Sequence, residues 1–284
     1  MTDTFTLAGR DVRRIGFGAM QLPGPGVFGP PKDHDQAVAV LRRAVEAGVN
    51  HIDTAQFYGP NVSNELIFEA LHPYPEDLVL VSKVGARRDA LGSWLSAAHP
   101  QQLREDVVAN LETLAIERIP IVNLRRHHEN EGDFAAELDV MIELRDEGLI
   151  EAIGISTVTI EEFRLAAART EIACVQNEYN LVNRGDQEVF DACEAAGIPY
   201  VPYFPLGSAF RAENPVLGNA TVTEIAARLG ATPSQVALAW LLHLAPNVLL
   251  IPGTSSLGHL DENLATAGVV LTPEDLACLA DVCA

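Results

Sequence analysis

Short apolar runs recur along the chain, each followed by a longer stretch with helical spacing. The runs are Ile15–Gly18, His51–Asp53, Leu78–Val84, Pro120–Leu124, Ile150–Ile155, Cys174–Asn177, Ile198–Tyr203 and Val248–Ile251. They are continuous rather than alternating, as expected of parallel strands covered on both faces. The helical segments are Asp35–Ala47, Ser63–Leu71, Pro100–Leu114, Asp133–Glu147, Thr159–Arg169, Gly185–Ala196, Thr221–Leu244, Leu257–Ala267 and Thr272–Val282. Gly48, Gly148 and Gly197 stand where helices end, and Thr159-Ile-Glu-Glu reads as a capping box. Thr221–Leu244 breaks at Gly230 and restarts at Thr232-Pro233, an N-cap followed by proline. Eight such units of about 35 residues, with no long linker, predict an α/β chain folded as one (β/α)8 TIM barrel domain spanning 1–284. The competing arrangement is an open, doubly wound sheet in two domains. Phe5–Leu7 and Val12–Arg14 read as an N-terminal β-hairpin that plugs the barrel floor.

Composition narrows the partners. Hydrophobic residues make up 48% of the 284, enough for a large core. Asp and Glu outnumber Lys and Arg 39 to 19, a formal charge of −20. That balance argues against binding nucleic acid, which needs clustered cations, and against docking on anionic membrane lipid. Cys174, Cys193, Cys278 and Cys283 show no CxxC or metal-ligand spacing and read as reduced thiols in a cytoplasmic protein. No apolar stretch is long enough to span a membrane, and residues 1–20 lack a signal-peptide core.

In a barrel the chemistry sits at strand C-termini. Here those ends are Asp53, Lys83, Arg125, Ser156, Gln176 with Asn177, Tyr203 and the run Gly253-Thr-Ser-Ser256. An acid, two cations, an amide and a phenol converge on one rim. Carbonyl reduction leaves charge on oxygen and needs a proton donor, and Tyr58 is the candidate. A free tyrosine is a weak acid, so a cation such as Lys83, held by Asp53, is needed beside it. A second reading makes Lys83 the amine of a Schiff-base lyase or aldolase.

The motif His51-Ile-Asp53-Thr-Ala-Gln-Phe-Tyr58-Gly59 resembles the signature of the aldo-keto reductases. Val81-Ser-Lys83-Val-Gly85, Gly154-Ile-Ser156, Val175-Gln176-Asn177, Tyr203-Phe-Pro-Leu-Gly207 and Ile251-Pro-Gly253-Thr-Ser-Ser match later segments of that family in order. The resemblance implies an NAD(P)H-dependent oxidoreductase that reduces an aldehyde or ketone, with Asp53, Tyr58, Lys83 and Arg125 at the reacting centre. It implies NADPH as cofactor, with NADH left open. Gly18, Ala19 and Met20 would border the cofactor together with Asp53. Ser156 and Gln176 would grip the nicotinamide amide, and Tyr203 would stack on its ring. Leu206 and Gly207 would line the pyrophosphate path, Phe204 and Ile251 would also touch the cofactor, and Gly253 opens a run whose backbone N–H groups can meet a phosphate. Thr254 and Ser255 would meet the 2′-phosphate, and Glu262 and Asn263 the adenine. His259 stands where the family usually has arginine, and Thr157 where it usually has asparagine. A non-catalytic nucleotide-binding subunit is the third reading.

Strand four departs from the family pattern. Its end reads Asn123-Leu-Arg125-Arg-His127-His128, with Arg125 where a histidine usually polarises the carbonyl. Asn-Leu-Arg here resembles a bacterial branch related to pyridoxal reductases. Arginine cannot shuttle protons, but it can neutralise an oxyanion or hold an anionic group with two parallel bonds. His127 lies on the same side of an extended strand, about 6.6 Å further on; with His128 it reads as an exposed loop pair. Substrate walls are expected from Phe28 in the Gly/Pro-rich segment 23–28 and from Phe204, Phe210 and Arg211. Trp94 reads equally as pocket wall or helix packing. Against a charge of −20, an anionic cofactor depends on local cations such as Lys83 and Arg125.

Overall fold

The computed structural model describes residues 3–127, 132–207 and 214–282. His128, Phe210, Arg211 and Cys283 lie outside them. The chain opens with β1 (Thr4–Leu7) and β2 (Arg10–Arg13), an antiparallel hairpin. A parallel ladder then runs through β3 (Phe17–Gly18), β4 (His51–Asp53), β5 (Val79–Arg88), β7 (Ile119–Arg125), β8 (Ile150–Ser156) and β9 (Val175–Gln176). β6 (Trp94–Ala97) pairs antiparallel with the far end of β5. The predicted seventh and eighth strands close the ring through single parallel bridges: Val175 to Tyr200, Tyr200 to Val248, and Leu250 to Ile15. Their ladder is thin because Pro199, Pro202, Pro246 and Pro252 supply no N–H donor. The result is the expected (β/α)8 barrel.

Ten helices cover it: α1 (His34–Glu46), α2 (Val62–Leu71), α3 (Pro100–Leu114), α4 (Phe134–Asp146), α5 (Ile160–Arg169), α6 (Gln187–Ala196), α7 (Ala220–Leu229), α8 (Pro233–Leu244), α9 (Leu257–Ala265) and α10 (Pro273–Ala280), among the described residues. The sequence cues act as read. Gly230 ends α7 at φ +65°, and Thr232 opens α8 with a capping box to Gln235. Thr159 and Glu162 cap α5 reciprocally. None of these helices is long and apolar enough to cross a membrane.

The hairpin plugs the floor. Leu7 and Val12 are buried against Val79, Ile121, Ala173 and Leu249, residues near the starts of the barrel strands. Among the described residues, apolar side chains thus seal the barrel interior at the end away from the strand C-termini.

One element differs from expectation. β5 runs on past Val84 to Arg88 and turns back into β6. The Asp89 carboxylate accepts from the Leu91 and Ser93 amides, both at 2.8 Å, and Gly92 takes φ +83°. These bonds make a tight turn, so Trp94 sits on a strand above the rim rather than on a helix.

Candidate active site

Strand register sets the rim. Gly18 lies opposite Asp53, Lys83 opposite Asn123, Arg125 opposite Ser156, and Ser156 opposite Gln176. A cavity of about 590 Å³ opens over these ends. That volume falls within the usual range for a small-molecule site.

Asp53, Lys83 and Tyr58 form its floor, 3%, 3% and 5% exposed. The Lys83 ammonium pairs with Asp53 Oδ1 and donates to the Thr54 carbonyl at 3.0 Å. Gln176 Nε2 donates to the other Asp53 oxygen at 2.8 Å. Lys83 Nζ also lies 5.0 Å from the centre of the Tyr58 ring. Burial works against the ammonium, but Asp53 and Tyr58 together raise the Lys83 pKa above its ordinary value. Lys83 is therefore held charged. Burial raises the Tyr58 pKa; Lys83, and more weakly Arg125, pull it back without cancelling that effect. The cation acts in the expected sense, yet at rest the phenol is more firmly protonated than a free tyrosine, because its burial, with the Asp53 charge, outweighs the two cations.

Behind the pair runs a buried polar network. Thr54 Oγ1 donates to Asn64 Oδ1 at 2.8 Å, and Asn64 donates to Asn110 Oδ1 at 2.9 Å. Asn110 also accepts from Ser82 and donates to Gln56. One α3 side chain thereby ties the strand bearing Lys83 to the loop bearing Tyr58, and fixes both.

Sixteen of the predicted site residues line this cavity: Gly18, Met20, Asp53, Tyr58, Lys83, Arg125, Gln176, Tyr203, Phe204, Leu206, Gly207, Ile251, Gly253, Thr254, Ser255 and His259. Four do not. Ala19, Ser156 and Asn263 are buried behind it, and Glu262 lies on α9 outside it. His127 also reaches the cavity.

The end nearest α9 is built from backbone. A Cβ at Gly253 would lie 2.5 Å from the Gly18 carbonyl oxygen, and one at Gly18 equally close to that of Ile251. Only glycine permits this approach. Ser256 caps α9 by accepting from the His259 amide, Thr254 Oγ1 accepts from the Ser256 amide, and the first turn of α9 carries no acid. Thr254, Ser255 and His259 thus face the cavity at a helix N-terminus, a setting that favours anions.

The opposite wall is aromatic, and the sequence reading did not resolve it. Trp94 packs edge-on to Phe57 at 5.6 Å, and Phe57 to Tyr58 at 5.2 Å. Arg88 lies over Trp94 at 4.1 Å and over Phe28 at 5.4 Å. Arg88 also donates to the carbonyls of Gly26, Val27 and Gly92, which clips segment 22–29 to the β5–β6 turn. Arg125 sits over Trp94, Cζ 5.8 Å from the ring centre.

Residues 14–283 match the Aldo/keto reductase family model. The chain is 50% identical to pyridoxine 4-dehydrogenase of Escherichia coli K12, over 98% of this chain and 97% of that protein. It is 37% identical to an uncharacterised oxidoreductase of Schizosaccharomyces pombe, over 94% and 86% of the two chains. The aldo/keto reductase of Klebsiella pneumoniae, solved in complex with NADP and acetate, superposes with TM-score 0.82 at 26% identity, over 98% of this chain and 94% of that one. The chain belongs to the aldo/keto reductase family, whose members are NAD(P)H-dependent oxidoreductases.

Proposed function

We propose that this protein reduces an aldehyde or ketone of the pyridoxal class to its alcohol, with NADPH as reductant and Tyr58 as general acid. The observation that carries the reading is the buried Asp53–Lys83–Tyr58 arrangement at the cavity floor. The substrate class is supported by the half-identical relative, itself named a pyridoxine 4-dehydrogenase. NADPH is supported by the glycine-lined approach of Gly18 and Gly253 and by the Thr254–His259 turn at the start of α9. It is supported too by the NADP complex of the Klebsiella protein. The chain works as a single barrel domain in the reducing cytoplasm, a reading supported by the free Cys174, Cys193 and Cys278.

NADPH, when bound, supplies the hydride that no side chain can provide. Tyr203 offers the nicotinamide a flat ring, and Gln176, anchored on Asp53, offers its amide a partner. Tyr58 gives its proton to the carbonyl oxygen as the C=O π pair becomes an O–H bond. The Lys83 ammonium stabilises the tyrosinate left behind, and solvent reprotonates it. Arg125 takes the position of the missing histidine and supplies positive charge to the developing oxyanion.

A Schiff-base lyase is disfavoured, because an amine nucleophile must be neutral and Asp53 and Tyr58 hold Lys83 charged. Tyr58→Phe tests the reading. With pyridoxal as substrate, kcat should fall at least about a hundredfold, while the NADPH dissociation constant stays within about threefold. Undiminished NADPH oxidation by the variant would remove Tyr58 from the reaction.

A further inference from the structure

The substrate wall holds a feature that carbonyl reduction alone does not require. Arg125 puts a planar cation at the end of β7, and its Nη1 is buried with no hydrogen-bond partner among the described residues. A buried donor left unmade costs free energy, so this atom is built to meet an acceptor. The guanidinium lines the same cavity as Tyr58 and Tyr203 and lies over Trp94, Cζ 5.8 Å from the ring centre. Trp94, Phe57, Tyr203 and Phe204 give the cavity flat, apolar walls suited to a planar ring.

We propose that the site selects aromatic aldehydes bearing an ionised hydroxyl on the ring carbon next to the aldehyde, with the Arg125 fork holding both oxygens. The proposal rests on the reductase reading above and names the substrate chemistry of the same site. An imidazole presents one N–H to one carbonyl oxygen, whereas a guanidinium presents parallel N–H groups matched to two oxygens that share negative charge. An ortho-hydroxy aldehyde offers such a pair on one side of a planar frame. A para isomer or an aliphatic ketone does not. Pyridoxal has its aldehyde and hydroxyl on adjacent ring carbons.

The arrangement also answers a chemical difficulty. An ionised ring hydroxyl pushes electrons into the aldehyde and makes it a poorer hydride acceptor. Pairing that oxygen with Arg125 withdraws the charge and restores the acceptor. The ring hydroxyl stays ionised throughout. Bound NADPH would supply the hydride to the aldehyde carbon; Tyr58 gives its proton to the carbonyl oxygen as the π pair becomes an O–H bond, and Arg125 keeps its anion.

The test compares 2-hydroxybenzaldehyde, 4-hydroxybenzaldehyde and 2-methoxybenzaldehyde with NADPH, at a pH where the hydroxyls ionise. The ortho-hydroxy compound should show at least about a tenfold higher kcat/KM, expressed mainly in KM. Arg125→Lys keeps the charge but loses the fork, and should abolish the preference. Values within threefold for all three aldehydes, or a preference intact in Arg125→Lys, would overturn the proposal. Binding gives a second readout independent of turnover. Trp94 lines the cavity, while Trp240, the other tryptophan, is buried against Tyr179. Quenching of Trp94 fluorescence by 2-hydroxybenzamide should need at least tenfold less ligand than by 4-hydroxybenzamide, and the difference should vanish in Arg125→Lys. Equal affinities refute the fork. If no aldehyde is reduced, the reductase reading fails, and the binding comparison still decides this one.

Discussion

Thr157 holds φ at +59°, in the left-handed region that β-branched residues avoid. It follows β8 directly, its amide donates to the Gln176 carbonyl, and its hydroxyl hydrogen-bonds Tyr203. Asparagine tolerates this conformation better, through its short polar side chain. Phe204, which lines the cavity, is held in the same region at φ +50°, and so is Val27 at φ +58°, buried in one cluster with Phe57 and Tyr58. Strain of this kind persists where surrounding structure over-determines a functional geometry. Thr157→Asn should relieve about 1 kcal/mol, raising the thermal midpoint by about 2 °C. A midpoint that stays put or drops would mean that the threonine hydroxyl contributes more, through Tyr203, than its backbone costs.

At the scale of elements, the β5–β6 hairpin carries Trp94 into one wall of the cavity. Arg88 is its fastener, bonded to three carbonyls and laid across Trp94 and Phe28. Arg88→Ala should loosen segment 22–29 and raise KM for an aromatic aldehyde about tenfold, equivalent to about 1.4 kcal/mol, with the NADPH dissociation constant nearly unchanged. An unaltered KM would show that the wall holds without the clip. This hairpin was also the least legible element in the sequence. An apolar run marks β5 only as far as Val84, because beyond it Gly85-Ala-Arg-Arg88 leaves the barrel and needs no buried face on both sides. The floor pair Asp53–Lys83 was legible because charged residues that end apolar strands have few structural uses. Trp94 was not, because its role depends on a turn set by Asp89 and Gly92 and on partners far away in sequence. The seventh and eighth strands were readable as apolar runs, but their prolines reduce the ladder to single bridges.

Across the whole molecule, the barrel interior carries charge and neutrality in separate places. Its upper rim holds Asp53, Lys83 and Gln176, while below them His51, at the start of β4, is buried against Gly16. A Cβ at Gly16 would lie 2.2 Å from His51 Nε2, so glycine is what admits the ring. Burial lowers the His51 pKa from 6.5 to about 4; the Leu250 carbonyl favours the charged form only weakly. The folded state thus keeps the imidazole neutral where the unfolded chain would protonate it. Stability contributed by this group is complete above pH 6.5 and is lost as the pH falls toward 4. Asp106 works in the opposite sense, since burial raises its carboxyl to about 6 despite Arg87, and the fold gains from its proton as the pH falls through that value. The two slopes partly cancel in the parent protein, and a difference between variants separates them. Urea unfolding of the parent and of His51→Gln should show the parent losing roughly 2 to 3 kcal/mol more than the variant between pH 7.5 and 4.5. The Asp106 contribution is common to both and drops out. Parallel stability curves over that window would mean that His51 takes up its proton without opening the fold, and that the acid sensitivity of the barrel resides elsewhere.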